Sequence, residues 1–258
     1  EGSHLFIEKP LSNRWDGVDE LLQVVRESNL VTLVGCNMRF HPGLSAVKNL
    51  LDRQAIGTVV AARVEVGHYL PDWHPWEDYR KTYSARSDLG GGIILDAIHE
   101  IDYIRWLLGE VVGATCVAGK VSRLEIDTED LAAILLRFEN GAVGEVHLDY
   151  IQRTYSRTCQ IIGEEGTIHW DYTAGRVRWY SARDQRWEVL SNPADWQPNQ
   201  MYVDELRHFL GCLTGEEKPA LDVAEAARVL QVALAAKESA QHQRWVELGS
   251  HLWNSPIS

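Results

Sequence analysis

The stretch between residues 111 and 190 constrains the fold most. Seven strand-like runs follow one another there, at 111–121, 131–138, 143–151, 158–163, 167–172, 176–180 and 187–190. The links between them are short. Glu139-Asn140-Gly141 carries the Asn-Gly pair of a hairpin, and Glu165-Gly166 and Ala174-Gly175 mark two further turns. Strands joined so tightly run antiparallel, because a parallel connection needs a crossover of about a dozen residues or more. An open, mostly antiparallel sheet is therefore expected here.

The residues before it read differently. Leu5–Glu8 is expected as a buried strand that Glu8-Lys9-Pro10 ends, proline stopping the ladder. Val18, Leu21, Leu22 and Val25 carry helical spacing behind Asp16, a plausible N-cap. Residues 31–35 form a short apolar strand, and His41-Pro42 opens a helix through Leu44, Val47, Leu50 and Leu51. This β-α-β-α order predicts the end of a parallel, doubly wound sheet, so the chain as a whole reads as α/β (α+β). The expected division is 1–56 for a remnant of that sheet and 57–258 for a second domain built on the antiparallel one. Two strands do not make a doubly wound sheet, and the chain opens on Glu1. The expectation is that further sequence precedes it.

Composition narrows the partners. Among 258 residues, 25 are Lys or Arg and 37 Asp or Glu, a net charge of -12, which argues against a nucleic-acid partner. No apolar run approaches the roughly 20 residues that span a bilayer. Cys36, Cys116, Cys159 and Cys212 lie far apart with no CxxC, which suggests reduced thiols and a cytoplasmic protein.

Past a long strand at 59–69 comes a polar, aromatic loop, Pro71-Asp72-Trp73-His74-Pro75-Trp76, and then Gly90-Gly91-Gly92 leading into a strongly amphipathic helix that ends at Leu108-Gly109. Asp96, His99 and Asp102 sit on that helix, each step of three turning it by about 60°, so they form one oblique stripe. A histidine flanked by carboxylates can hold one tautomer and act as a general base near neutral pH. A solvated helix face, with acids favoured by the helix dipole, is the alternative. The triple glycine does not fit G-x-G-x-x-G and no basic residue follows it, so it reads as a close backbone approach. Gly163-Glu164-Glu165-Gly166 reads as a hairpin turn, its acids unsuited to a phosphate. His68, His74, His99 and Asp96 show no metal-ligand spacing, so no metal is expected. Tyr69, Trp73, Trp76, Tyr79 and Tyr83 offer aromatic faces that suit sugar rings, or that pack the loop onto the sheet. Arg39, after the 31–35 strand, either meets an anionic group at the strand's carboxyl end or makes a salt bridge. Two helices close the chain. The first carries Tyr202, Leu206, Phe209, Leu210 and Leu213; the second starts at Asp222, with Glu225 three residues on as in a capping box.

Taken in series, several segments resemble the Gfo/Idh/MocA family of NAD(P)-dependent oxidoreductases. They are Phe6-Ile7-Glu8-Lys9-Pro10-Leu11, Asn37-Met38-Arg39-Phe40-His41-Pro42, the run from Gly90 through Asp96 and His99 to Asp102, Gly163-Glu164-Glu165-Gly166-Thr167-Ile168, and Glu205-Leu206-Arg207-His208-Phe209. The resemblance implies a Rossmann domain followed by an α/β domain with an open, mostly antiparallel sheet, and homodimers or homotetramers that pair these sheets. It implies NAD or NADP as cofactor and a secondary hydroxyl of a sugar, nucleotide-sugar or polyol as substrate. Lys9 would sit beside the nicotinamide and the reacting hydroxyl, His99 would take the hydroxyl proton, and Asp96 would bind a substrate hydroxyl or orient His99. Glu8, Lys9, Pro10 and Arg39 would face the cofactor; Lys9, Arg39, Tyr69, Trp73, Asp96 and His99 would face the substrate. Arg39, Arg80 and Lys81 would suit a nucleotide-linked sugar. The common family spacing from aspartate to histidine is four residues; here it is three, which calls for an irregular helix start or a changed role for Asp96. The family's glycine-rich dinucleotide loop has no counterpart in this sequence, so the chain by itself is expected not to hold the cofactor. The competing reading is a non-catalytic binding or assembly module that keeps the substrate domain. A metal-dependent hydrolase is more remote.

Overall fold

A computed structural model describes residues 2–249. Strand β1 (Leu5–Glu8) pairs in parallel with β2 (Thr32–Gly35), with helix α1 (Val18–Ser28) between them. β2 is buried throughout, but β1 is not the buried strand expected: Phe6 and Glu8 alternate outward, since only one face of β1 meets the core. Asp16 does not cap α1 either. Gly17, at φ 80°, takes the position before the helix, and Asp16 pairs instead with Arg14 at the surface. Helix α2 (Pro42–Asp52) starts as expected at His41, whose Nδ1 accepts the Gly43 N–H at 2.9 Å. Burial beside Trp170, Tyr172 and Trp196, with Arg157 adding to it, lowers the His41 pKa to about 4, so the ring stays a neutral acceptor.

The long strand β3 (Val59–Gly67) precedes two helices, α3 (Ile93–Asp96) and α4 (Ile98–Leu108). Sequence periodicity predicts one continuous, amphipathic helix here; the structure breaks it at Ala97, at φ −91° and ψ 33°. Nor is it amphipathic, because Glu100, Asp102 and Arg105 are all buried. Each finds an opposite charge: Arg157 lies 2.8 Å from Glu100, Arg39 2.7 Å from Asp102, and Glu225 2.9 Å from Arg105. The reading of Asp96 and Asp102 as a solvated face is thereby excluded. Gly91 seats the helix start against the turn before it, since a Cβ there would come within 2.0 Å of the Tyr83 carbonyl.

Seven strands follow: β4 (Val111–Gly119), β5 (Leu131–Phe138), β6 (Val143–Asp149), β7 (Ser156–Gly163), β8 (Gly166–Asp171), β9 (Arg176–Ser181) and β10 (Arg186–Ser191). After α5 (Asn199–Thr214) and α6 (Val223–His242), β11 (Val246–Glu247) adds to the far edge. The nine-stranded order is β10-β9-β8-β7-β3-β6-β5-β4-β11. The sheet is antiparallel as expected, except that β3 lies parallel to β6. The predicted turns are present, with Gly141 and Gly175 both at positive φ. Helices α4 and α6 cover one face, over buried Val64, Ile134, Val146 and Leu148. The other face is open and carries exposed Val117, Leu135, Val143, Ile162 and Val189. Asp222 caps α6 by accepting the Glu225 N–H at 2.8 Å. Helix α5 leaves Tyr202, Leu206, Leu210 and Leu213 exposed and buries Met201, Glu205 and Cys212, packing against the 37–40 turn. All four cysteines are unpaired thiols, and no helix among the described residues is long and apolar enough to cross a membrane.

Candidate active site

The pairing of β3 with β7 sets Gly67 opposite Ser156, so the residues leaving β3 and those entering β7 meet at one end of the sheet. A cavity of about 570 Å³ opens there. Lys9, Asp96 and His99 line it together, as does Trp73. His68, Tyr155 and Arg157 join them from the ends of β3 and β7.

Asp96 is 4 % exposed and fully occupied. Oδ1 accepts from Lys9 Nζ at 3.3 Å and from the Tyr83 hydroxyl; Oδ2 accepts from Ser84 Oγ at 2.7 Å and Tyr150 Oη at 2.9 Å. A carboxylate offers about four lone-pair positions, and these four donors take them all. Burial, then the Asp96 charge, raises the pKa of both tyrosines, which keeps them protonated donors. Lys9 Nζ also donates to the Asp96 carbonyl at 2.7 Å. Of its three donors one remains for the cavity. Asp96 makes no hydrogen bond to His99. The break at Ala97 gives the shortened spacing its physical form: Asp96 belongs to the helix before it, His99 to the helix after it.

The imidazole of His99 is held neutral. Burial lowers its pKa well below 6.5, and the charges of Lys9 and Arg157 push it the same way. Nδ1 is buried without a partner, which leaves Nε2 as the nitrogen that reaches the cavity. Arg157 is held by Glu100, which is itself completely buried; burial raises the Glu100 pKa and Arg157 opposes the rise. The wall is aromatic. His68 stacks on Trp73, with centroids 5.6 Å apart, and meets Tyr155 edge-on at 5.2 Å. Burial pushes the Tyr155 hydroxyl up to about 12.

Other predicted site residues lie elsewhere. Arg39 does not face the cavity: it grips Asp102, donates to the Ala220 carbonyl and lies 5.6 Å from the Trp106 ring centre. Tyr69 is outside the cavity lining, covered by the Arg153 guanidinium at 3.7 Å. Glu8 and Pro10 flank Lys9 without lining the cavity. Arg80 is engaged by Asp78 and Glu125, so neither it nor Arg39 is a cation in reserve for a nucleotide. Among the described residues no three His, Cys, Asp or Glu converge to hold a metal ion. Tyr150, Tyr155 and Arg157 escaped the sequence reading. Their signal is strand register, which no local motif carries. Glu205 escaped too: burial first, then Glu8 and Asp102, push its carboxyl up to about 8, so it is protonated at neutral pH.

Comparison with known proteins agrees with this architecture. Residues 44–169 match the family profile described as GFO/IDH/MocA C-terminal domain. The myo-inositol 2-dehydrogenase of Thermotoga maritima is 27% identical over 259 aligned residues, covering 95% of this chain and 72% of that protein. The NAD(+)-dependent scyllo-inositol 2-dehydrogenase of Bacillus subtilis is 25% identical, over 96% of this chain and 71% of its own length. A levoglucosan dehydrogenase structure, in complex with NADH and levoglucosan, superposes with a TM-score of 0.88 at 23% identity, covering 96% of this chain and 75% of that one. The fold and the cavity define an α/β protein in which Lys9, Asp96 and His99 line one aromatic-walled cavity. Residues 44–169 thus carry a Gfo/Idh/MocA C-terminal domain, and over nearly its whole length the chain is similar to inositol and sugar dehydrogenases, which supports an NAD-dependent oxidoreductase.

Proposed function

We propose that the cavity oxidises a secondary hydroxyl of a neutral sugar or polyol, or reduces the matching ketone, with NAD or NADP as hydride partner. One observation carries this reading: an ammonium and a neutral imidazole, Lys9 and His99, line one aromatic-walled cavity. The nicotinamide, when bound, accepts or returns the hydride. Lys9 is oriented by Asp96 and keeps one N–H free to hold the substrate oxygen, stabilising negative charge as it develops there. His99, through Nε2, takes the hydroxyl proton in oxidation and returns it in reduction. Trp73, His68 and Tyr155 give the sugar ring its apolar contact. A nucleotide-linked substrate loses support, since Arg39 and Arg80 are engaged by carboxylates. These residues fit the nicotinamide end of the cofactor. The sequence contains no G-x-G-x-x-G cradle for its pyrophosphate.

The test is a turnover panel. The protein at its natural full length, with NAD⁺ or NADP⁺ and each of myo-inositol, scyllo-inositol, levoglucosan and common aldoses, is expected to generate reduced nicotinamide with at least one polyol. Lys9→Met is expected to abolish that signal. Silence across the panel, or full turnover by the Lys9 variant, would refute the reading and favour the non-catalytic module.

The open sheet face supports a homodimer or homotetramer in the same reading. Its apolar side chains surround the Arg63–Glu145 pair, and a depression of about 490 Å³ spans β3, β6, β5 and β4. Light scattering is expected to give a multiple of the chain mass, reduced to the monomer by Leu135→Lys. A monomeric wild type would remove this proposal.

A further inference from the structure

We propose that Ser84 and Tyr150 are positioning residues, which aim the Lys9 ammonium at the cavity by holding the Asp96 carboxylate between them. The assignment rests on reading Lys9 and His99 as the reacting pair, and it adds residues that touch neither hydride nor proton.

The geometry is that of a cage. Ser84 Oγ and Tyr150 Oη both donate to Oδ2 of Asp96, which turns Oδ1 toward Lys9 and Tyr83. Both donors are themselves fixed. The Ser84 carbonyl accepts from Gly92 N–H at 3.2 Å and from Thr128 Oγ1 at 2.9 Å. Tyr150 is completely buried, donates its N–H to the Asp130 carbonyl at 2.9 Å and packs edge-on against Trp73. The close glycine contact that seats residues 83–86 on the start of α3 thus acquires a purpose: it brings the Ser84 hydroxyl to Asp96. With Oδ2 held, the carboxylate cannot rotate, and the ammonium that it and its own carbonyl grip cannot swing away from the cavity. Taking either hydroxyl away leaves a buried carboxylate oxygen short of a donor, and Lys9 must move to serve it.

His99 is the gauge of where Lys9 sits. The charges that act on its ring are Lys9 from the end of β1 and Arg157 from β7. Glu100 offsets Arg157 and Asp96 offsets Lys9, while His68 and Glu77 face the same cavity from the β3 side. A Lys9 drawn toward an unsatisfied Asp96 Oδ2 withdraws its repulsion from His99, and the imidazole then accepts a proton more readily.

The experiment is an NMR titration of the whole chain carrying ¹⁵N-labelled histidine, with the His99 signals assigned by their loss in His99→Gln. No substrate or cofactor is needed, so its outcome is separate from that of the turnover panel. In Tyr150→Phe and in Ser84→Ala the His99 pKa is expected to rise by about half a unit or more relative to wild type. Ser84→Thr, which restores a hydroxyl, is expected to return toward the wild-type value. An unchanged His99 titration in both hydroxyl deletions would overturn the assignment. So would a Ser84→Ala chain that loses its fold, because the hydroxyl would then be a structural requirement and not an aiming one.

Discussion

Replacing His99 by Gln is expected to lower kcat by about 10² to 10⁴, the range that a positioned general base contributes. KM and the thermal midpoint are expected to change little. The ring's Nδ1 has no partner to lose, and glutamine fills similar space. The pH profile of the wild-type chain sharpens this expectation. Oxidation needs the neutral imidazole. Burial, then Lys9 and Arg157, hold the His99 pKa well below 6.5, so the base is ready at neutral pH. Activity is expected to fall only as pH drops below 6.5 and protonates the ring. An acid limb of kcat/KM centred at or above 6.5, or full turnover by the variant, would contradict the role given to His99.

Glu100→Gln is expected to destabilise the chain by roughly 3–5 kcal/mol, because it strands a buried guanidinium. Glu100 is completely buried, the Arg157 side chain is 14 % exposed, and they lie 2.8 Å apart. For a chain of this size the loss corresponds to a fall of about 10 °C in thermal midpoint. The double variant with Glu100→Gln and Arg157→Met is expected to recover most of the loss, since removing both charges also removes the desolvation cost. Calorimetric unfolding of the single and double variants checks this. A single variant within about 1 kcal/mol of wild type would mean that water or another acid satisfies Arg157.

Sequence periodicity and turn chemistry made most of the antiparallel sheet legible, because Asn140-Gly141 and Ala174-Gly175 act locally. The placing of β3 between β6 and β7 was not legible. It joins strands far apart in sequence, and with it went the convergence of His68, Tyr155 and Arg157. The Asp96, His99 and Asp102 stripe shows the same divide. Their spacing marked them, but only the break at Ala97 shows that they part company: Asp96 to Lys9, His99 to the cavity and Asp102 to Arg39. Arg39 misled because a strand's carboxyl end suggests a ligand, whereas a buried aspartate from a distant helix claims it. For Glu205, nothing local distinguishes a carboxyl kept protonated from an ordinary surface acid.

The saturation of Asp96 has a consequence for how such a site could be re-engineered. A carboxylate with every acceptor position spoken for cannot also read a substrate's hydroxyl pattern. Under the proposed function, discrimination among ring stereoisomers then falls to the aromatic lining of His68, Trp73 and Tyr155. Under the proposed function the two halves are separable tasks: a fixed charge assembly that handles the proton, and an aromatic panel that can be redrawn for a different sugar without retuning the chemistry.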